Sequence, residues 1–419
     1  MHDFKLKNNT LYCEQVPLER IAAAVGTPVF VYSRKTLLDH LRKLQRAFAP
    51  VDALICYSMK ANSNLSICRL LTQAGAGVDI VSGGELYRAK KAGVPGEKIV
   101  YASVGKTMEE IEEALAAGIA FFNVESKPEL ELIDAVAGRL KKCPAAAIRV
   151  NPDVDAHTHH YITTAKKQNK FGIDFDAAEE IFLRTAPRLR HVRLCGIHVH
   201  IGSQIEHVTP FVEALKKTAA FIARLNGRGA AITHLNIGGG LGIIYHREKP
   251  QTADAYARVI LPILRKTGLR IIMEPGRFIA GNAGVLLTKV LYVKDTAAKR
   301  FVIVDAAMND LIRPSFYGAY HDLVVMPAAR GGRRRAADVV GPVCESGDFL
   351  AKDRLLPAGV RQGNVIAVLS AGAYGFSMSS NYNSRRRAAE VLVSGDRYRV
   401  IRKRETYQDL VRNDVIGES

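Results

Sequence analysis

The sequence lacks the features that would place it in several common classes of protein. No apolar run approaches the roughly 20 residues that a membrane-spanning helix needs, and the N-terminal stretch MHDFKLKNNTLYCEQ has no apolar segment typical of a signal peptide. Its six cysteines include no Cys-x-x-Cys pair, which argues against a zinc ribbon or a redox dithiol. No repeat of fixed length is present. We therefore expect a cytoplasmic protein with reduced cysteines and no bound metal.

The cysteines fall into two groups. Cys344 lies in the polar stretch GPVCESGD, which does not favour a packed apolar thiol. We expect the others to be small buried side chains. These are Cys13, Cys56, Cys68, Cys143 and Cys195.

Acidic residues are scarce relative to basic ones, and the net charge is +18. A basic surface attracts nucleic acids, acidic membranes and anionic small molecules. The densest basic stretches, Arg330 with 333–335 and 385–387, are not interleaved with the aromatic side chains that stack on bases. We expect most of this charge to be solvated surface. It favours an anionic small-molecule ligand, with no nucleic acid and no membrane as partner.

Short β-rich segments alternate with amphipathic helical patterns from about residue 50 to 275. This alternation predicts a parallel sheet, and eight such units predict a closed (β/α)8 barrel, which we place at residues 34–281. The predicted strands are LICYS (54–58), GVDIV (77–81), KIVYAS (98–103), IAFFNVE (119–125), AAIRVN (146–151), LCGIHVHIG (194–202), HLNIGGG (234–240) and RIIMEPG (270–276).

Beyond the barrel the pattern changes. Segments such as VLLTKVLYVK, RFVIVDAA, DVVGPVC, NVIAVLSAGAY and AAEVLVSG follow one another without regular helices between them. A mostly β domain is therefore predicted from residues 1–33 and 282–419, with TPVFVYS near the N-terminus as a candidate strand of it.

Chemically reactive residue types cluster at the ends of the predicted barrel strands. The C-terminal face of a (β/α)8 barrel carries the active site, so these residues are candidates for one central site. They are Lys60, Asp79, Ser82, Asn151, His200, Ser203, Gly238, Gly239, Gly240, Glu274 and Arg277.

Three of these stretches have both a chemical and a structural interpretation. Lys60 could cap a strand or react as an amine with an aldehyde. The glycines 238–240 could form a tight turn or a phosphate-binding loop. Glu274 could pair with Arg277 or hold a pyridine nitrogen protonated. A lysine, a glycine loop and an acid at strand ends of one barrel together indicate pyridoxal phosphate.

The motifs YSMKAN, HVHIGSQ, NIGGGLG, EPGR, GPVCESGD and SAGAYGFSMSSNYNSR occur in this order along the chain. By them the sequence resembles the fold-type III pyridoxal-phosphate decarboxylases and, among these, the diaminopimelate decarboxylases. The resemblance spans residues 10–415 and implies an alanine racemase-like fold of a barrel and a β domain. It also implies decarboxylation of meso-2,6-diaminopimelate to L-lysine, the last step of bacterial lysine synthesis.

The resemblance implies a role for each matching residue. Lys60 would bind the cofactor aldehyde, His200 would stack on the ring, and Cys344 would supply a proton from the second subunit of a homodimer with shared active sites. Further cofactor contacts would come from Ser203, Gly238, Gly239, Gly240, Glu274, Pro275, Gly276, Arg277 and Tyr374. The substrate would be bound by Arg277, Arg313, Tyr317, Glu345 and Tyr374.

Other interpretations stay open at this point. The chain could decarboxylate carboxynorspermidine, ornithine or arginine, act as a pyridoxal-phosphate carrier, or bind nucleic acid through its charge. Three stretches, 103–106, 159–165 and 385–388, also depart from the family pattern.

Overall fold

The computed structural model describes residues 2–155, 170–327 and 332–417. It divides into two compact units. One contains Leu38–Ile243 and Lys249–Ile279, and the other contains Met1–Leu37, Ile244–Glu248 and Ala280–Ser419. The departure predicted at 159–165 and Arg330 lie outside the described residues.

The N-terminal elements mostly belong to the β-rich unit. A small antiparallel sheet forms from the first three strands, and the fourth joins a larger sheet. Leu18 and Ile21 line the buried face of the first helix and pack into the core of this unit. The bounds are β1 Phe4–Lys7, β2 Thr10–Cys13, β3 Val16–Pro17, α1 Leu18–Val25, β4 Val29–Ser33 and α2 Arg34–Phe48.

All eight predicted barrel strands are present and close into a parallel barrel, which confirms the predicted architecture. Small and apolar side chains fill its interior, among them Cys56, Val100, Phe121 and Cys195. The strands are β5 Ala53–Ser58, β6 Gly77–Ile80, β7 Ile99–Ala102, β8 Phe121–Val124, β9 Ala145–Arg149, β10 Arg193–His198, β11 His234–Asn236 and β12 Arg270–Met273.

Helices follow the barrel strands, as the amphipathic patterns predict. Several begin at a Ser, Thr or Asp whose side-chain oxygen accepts a backbone N–H of the first turn, as Ser82 does from Glu85. The helices are α3 Leu65–Gln73, α4 Gly83–Ala92, α5 Met108–Ala116, α6 Lys127–Arg139, α7 Phe175–Glu180, α8 Thr209–Gly227, α9 Ala253–Thr267 and α10 Arg277–Ala280.

Seven of the eight barrel strands end earlier than predicted, two of them by four residues. The strand predicted at 194–202 ends at His198, and the one predicted at 234–240 ends at Asn236. Gly202 and Gly238 have φ of 150° and 64°, which side-chain-bearing residues rarely adopt. His200 and the glycine triplet therefore lie in loops beyond the strands.

The remaining elements build the mostly β unit. Its main sheet has the order β17-β16-β14-β13-β4-β19-β20, so β4 lies between two C-terminal strands and TPVFVYS is a strand of this sheet, as predicted. The elements are β13 Gly284–Asp295, β14 Arg300–Val304, α11 Arg313–Tyr317, β15 Leu323–Met326, β16 Arg334–Val340, β17 Phe349–Pro357, β18 Val365–Val368, β19 Ala389–Ser394, β20 Arg397–Arg402 and α12 Tyr407–Val411.

Two surface expectations need correction. Cys143 is exposed rather than buried, because it lies in the loop between α6 and β9. The basic run 385–387 is only partly solvated: Arg385 binds the side chain of Asn309 and the carbonyl of Asp305, while Arg387 lies over the Phe376 ring. Among the described residues, no helix combines the length and apolar character needed to cross a membrane.

Candidate active site

Lys60 lies in a short turn, Met59–Ala61, directly after β5. Its Nζ is 3.1 Å from Oδ2 of Asp79, which lies on the adjacent strand β6 opposite Ser58. The Ser58 hydroxyl donates to the same oxygen at 2.5 Å. Burial, and then the nearby carboxylate of Glu274, raise the pKa of Asp79 to about 6. This acid orients the lysine amine at the barrel mouth.

Glu274 follows β12 and is buried among polar donors. The amides of Asn123 and Asn236 donate to its Oε1 at 2.8 and 2.6 Å, and Nε2 of His198 lies 3.3 Å from its Oε2. Burial would raise the pKa of this carboxyl, but His198, Lys60 and Asn236 outweigh it and hold the pKa of Glu274 well below its ordinary value. The side chain is therefore an ionised carboxylate.

His200 lies just beyond β10, two residues after the buried His198. Its Nδ1 accepts the backbone N–H of Gly239 at 3.2 Å. Removal from solvent, followed by the charges of Arg149 and Lys60, lowers the pKa of His200 well below its ordinary value. A neutral, flat ring is therefore fixed beside the glycine loop.

The glycine loop leaves no room for side chains. A Cβ on Gly238 would lie 2.7 Å from Nδ1 of His200, one on Gly240 would lie 2.7 Å from the carbonyl of Gly202, and one on Gly239 would collide with the carbonyl oxygen of Glu274. Gly240 also has a φ of 106°. Because the loop has no side chains, an anionic group can approach its backbone N–H groups closely.

Arg277 and Ser203 meet at the same end of the barrel. Nε of Arg277 donates to Oγ of Ser203 at 3.2 Å, which brings a guanidinium and a hydroxyl together. Pro275 and Gly276 act through backbone packing: the carbonyl of Pro275 accepts the N–H of Ser58, and a Cβ on Gly276 would lie 3.0 Å from that of Ala61.

The remaining predicted site residues belong to the β-rich unit. Cys344 is exposed, and its backbone N–H donates to Oδ1 of Asn383 at 3.1 Å. The Tyr382 hydroxyl donates to Oε2 of Glu345 at 2.9 Å. The loop that contains Tyr382 and Asn383 is therefore joined by two direct hydrogen bonds to the loop that carries Cys344 and Glu345.

Arg313, Tyr317 and Tyr374 also lie in the β-rich unit. Arg313 begins α11 and is buried, with Nη1 2.8 Å from Nε2 of His321. Tyr317 ends the same helix and is half-buried. Tyr374 adopts a φ of 56°, a left-handed conformation that is uncommon for a tyrosine and occurs in tight turns.

Several polar residues that interact with predicted site residues, within the barrel or within the β-rich unit, received no role from the sequence. They are Asp79, Asn123, Arg149, Asn236, His321 and Asn383. Asn383 lies in an exposed loop, and nothing in the sequence marked it for a role. The others are polar residues within an otherwise buried strand or loop, which is the signal that could have identified them.

The barrel residues fit pyridoxal phosphate. The ionised Glu274 would face a protonated ring nitrogen, and Lys60 offers an amine to the aldehyde. A backbone cradle that a Cβ would fill, next to Arg277 and Ser203, suits a phosphate group. The polar groups of the barrel thus match the ring nitrogen, the aldehyde and the phosphate of the cofactor.

Comparison with known proteins agrees with this geometry. Residues 34–281 match the family described as pyridoxal-dependent decarboxylase, pyridoxal binding domain. The diaminopimelate decarboxylase of Aquifex aeolicus is 49% identical over 97% of this chain and 96% of its own length, and that of Pseudomonas aeruginosa is 49% identical over 98% of each.

Solved structures give the same result. A diaminopimelate decarboxylase from Helicobacter pylori, complexed with L-lysine, superposes with a TM-score of 0.90 at 43% identity, covering 94% of this chain and 98% of that one. One from M. jannaschii, also with L-lysine, has a TM-score of 0.94 at 37% identity, covering 100% and 99%. By fold, site residues and sequence, the chain belongs to the diaminopimelate decarboxylase family of pyridoxal-dependent decarboxylases.

Proposed function

We propose that this enzyme converts meso-2,6-diaminopimelate to L-lysine and carbon dioxide with pyridoxal phosphate as cofactor, in the last step of bacterial lysine synthesis. The observation that carries the proposal is the buried Glu274, whose oxygens lie against two amides and a histidine in a barrel that also presents Lys60. The relatives are named for the same reaction, at 49% identity over nearly the whole chain. The predicted cytoplasmic location stays a prediction.

The barrel residues would hold the cofactor. Lys60 would take its aldehyde, His200 would lie against the ring, and the loop 238–240 with Ser203 and Arg277 would take the phosphate. When bound, pyridoxal phosphate supplies an electron-withdrawing ring that accepts the electron pair left when carbon dioxide departs.

Two acids of the barrel have distinct tasks. Glu274, kept ionised by its amide and histidine neighbours, would accept a hydrogen bond from the ring nitrogen of the cofactor and would favour the protonated form of that nitrogen. Asp79 accepts from the Lys60 amine and directs it toward the barrel mouth. Because Asp79 is itself held by Ser58, the direction of the lysine is fixed by the strand pair.

Cys344 would donate the proton that replaces carbon dioxide. A thiol can act as a general acid in proton transfer. Asn383 fixes the backbone at this residue. We place Cys344 and Glu345 in the active site of the second subunit, so that the unit comprising 1–33 and 282–419 completes the sites of a homodimer.

The far end of the substrate carries a second carboxylate and a second ammonium. The planar guanidinium of Arg313 suits the carboxylate and Glu345 suits the ammonium, with Tyr317, Tyr374 and Arg277 as further contacts. This pair of opposite charges distinguishes the substrate from ornithine and arginine, which have no distal carboxylate.

The test is direct. The purified protein with pyridoxal phosphate is given meso-diaminopimelate, ornithine, arginine or carboxynorspermidine at matched concentrations, and carbon dioxide and the amine product are measured. We expect L-lysine from meso-diaminopimelate and at least about a hundredfold lower kcat/KM for the others, because unpaired polar groups in a site are costly. Faster turnover of any other substrate would overturn the proposal, and Lys60→Ala is the inactive control.

A further inference from the structure

Two residues of the β-rich unit hold Arg313 from different sides. Nε2 of His321 lies 2.8 Å from Nη1 of the guanidinium, and the centre of the Tyr245 ring lies 4.7 Å from its central carbon. His321 is fully buried, and its ring meets that of Tyr245 edge-on at 83° with centroids 5.4 Å apart. The three side chains form one packed group, which we call the Arg313 cluster.

The partners of His321 determine where its proton lies. Nδ1 is 2.8 Å from the carbonyl oxygen of Leu369, which can only accept, so Nδ1 carries hydrogen. A guanidinium can only donate, so Nε2 is the bare nitrogen that receives the Arg313 N–H. The imidazole is therefore neutral, and this contact orients the guanidinium without neutralising it.

The carbonyl of Leu369, which binds Nδ1 of His321, is itself held in place by the fold. Leu369 directly follows β18, and its N–H donates to the carbonyl of Asp322, the residue after His321, at 2.8 Å. The backbone next to the histidine and the carbonyl that binds its ring are thus tied together. A side chain held at Nδ1 by such a pair presents Nε2 in one direction, so the orientation of Arg313 is set by the fold.

We propose that His321 and Tyr245 are positioning residues that set the plane of the Arg313 guanidinium for a two-oxygen contact with the distal carboxylate of the substrate. Geometry of this kind matters because the two N–H groups of the fork must meet two oxygens at once. The inference rests on the proposed function, since it assigns the selection of a distal carboxylate to the Arg313 cluster.

Two matched substitutions separate the contacts of His321. His321→Gln places an oxygen near the position of Nε2 and retains an acceptor for Arg313. His321→Asn places an amide near the position of Nδ1, which retains the bond to Leu369 but removes that acceptor. We expect His321→Asn to raise KM for meso-diaminopimelate and the inhibition constant of L-lysine about tenfold or more, with kcat within about threefold. His321→Gln is expected to stay within about threefold of the wild type in all three.

A double substitution tells positioning from general loss of structure. In the Arg313→Ala background, adding His321→Asn should leave KM unchanged, because His321 acts only through the arginine. Equal effects in both backgrounds, or a wild-type KM for His321→Asn, overturn the inference. If His321→Asn does not fold, as judged by thermal unfolding, Tyr245→Leu replaces it: a rise in KM supports the proposal and an unchanged KM overturns it.

The wild-type measurement keeps the two proposals apart. Absence of lysine production from meso-diaminopimelate by the wild-type enzyme contradicts the proposed function. Normal wild-type turnover together with unaffected variants contradicts only the role of the Arg313 cluster.

Discussion

Nζ of Lys60 lies 3.1 Å from Oδ2 of Asp79, and the other oxygen of this acid is buried without a hydrogen-bond partner among the described residues. A carboxylate with one unsatisfied oxygen is costly to bury, which agrees with the raised pKa of Asp79. The strand pair that supports the reactive lysine thus carries a destabilising charge. Such a cost at a functional site has a measurable consequence for stability.

Asp79→Asn should change how stability depends on pH. The pKa of Asp79 is about 6 in the folded chain and about 4 when unfolded, so its contribution is fully present below about pH 4 and lost as the pH rises through 6. The amide of the variant does not ionise, so the variant does not lose this stability as the pH rises. In the cofactor-free protein we expect equal free energies of unfolding below pH 4, and a variant more stable by on the order of 2 kcal/mol at pH 7.

Urea unfolding at a series of pH values measures this difference. Parallel curves for the two proteins would show that Asp79 ionises as readily in the folded chain as in the unfolded one. Although burial dominates, Lys60 and Ser58 both lower the pKa of Asp79, and the value of about 6 already includes their effects.

Gly239→Ala should weaken cofactor binding. The new Cβ would collide with the carbonyl oxygen of Glu274, so the loop must move away from the position that receives the phosphate. We expect the Kd for pyridoxal phosphate, measured by absorbance titration, to rise at least about tenfold. Gly227→Ala at the end of α8 is the matched control, because a Cβ there meets no atom within 4 Å. Equal Kd values in the two variants would contradict a role for the loop.

Mixed dimers should reveal shared active sites. Cys344→Ala and Lys60→Ala are each expected to be nearly inactive. If each site takes Lys60 from one chain and Cys344 from the other, half of the randomly mixed dimers contain one intact site. Activity should then recover to about a quarter of the wild type. The measurement is lysine production after unfolding and refolding the mixture together, with tagged chains to verify that mixed dimers form. No recovery in verified mixed dimers would show that each site is built from a single chain.

Arg385→Lys should destabilise the chain, whereas Arg386→Lys should not. Arg385 binds the side chain of Asn309 and the carbonyl of Asp305 with two separate nitrogens, which a lysine cannot reproduce. Arg386 is exposed and lies over the Tyr407 ring. We expect a loss of about 1–2 kcal/mol for the first and less than about 0.5 for the second, from chemical unfolding. Equal values would restore the interpretation of this run as solvated surface.

The barrel was predictable because its information is local. Each strand is a short buried run bounded by polar or glycine residues, and strands adjacent in the chain are largely adjacent in the barrel. The other unit was harder because its pairings are distant in sequence. Six of its strands were missed: β1, β2, β3, β15, β17 and β20. Two of these, β17 and β20, are edges of the main sheet and are rich in exposed charged residues. Charged residues protect an edge and at the same time hide the strand pattern.

The residues of the site also differ in how far the sequence alone identifies them. Lys60, the glycine loop and Glu274 are recognisable because such residue types are unusual at strand ends. The role of Asn123 was not recognisable, because β8 is not a neighbour of β12 and the amide reaches Glu274 across the barrel. The role of His321 was likewise not recognisable, because it depends on contacts of its two ring nitrogens with Arg313 and Leu369 that only the fold creates.

The position of β4 bears on how the chain is made. This strand, Val29–Ser33, pairs with β13 on one side and with β19, Ala389–Ser394, on the other. During synthesis from the N-terminus, all eight barrel strands emerge before either partner of β4 exists. The strand must therefore remain unpaired while most of the polypeptide is translated, and five residues that are all buried in the folded chain stay uncovered for that period. A ribosome that stops before residue 389 releases a chain in which this strand has no partner on one side, and such a product is prone to self-association.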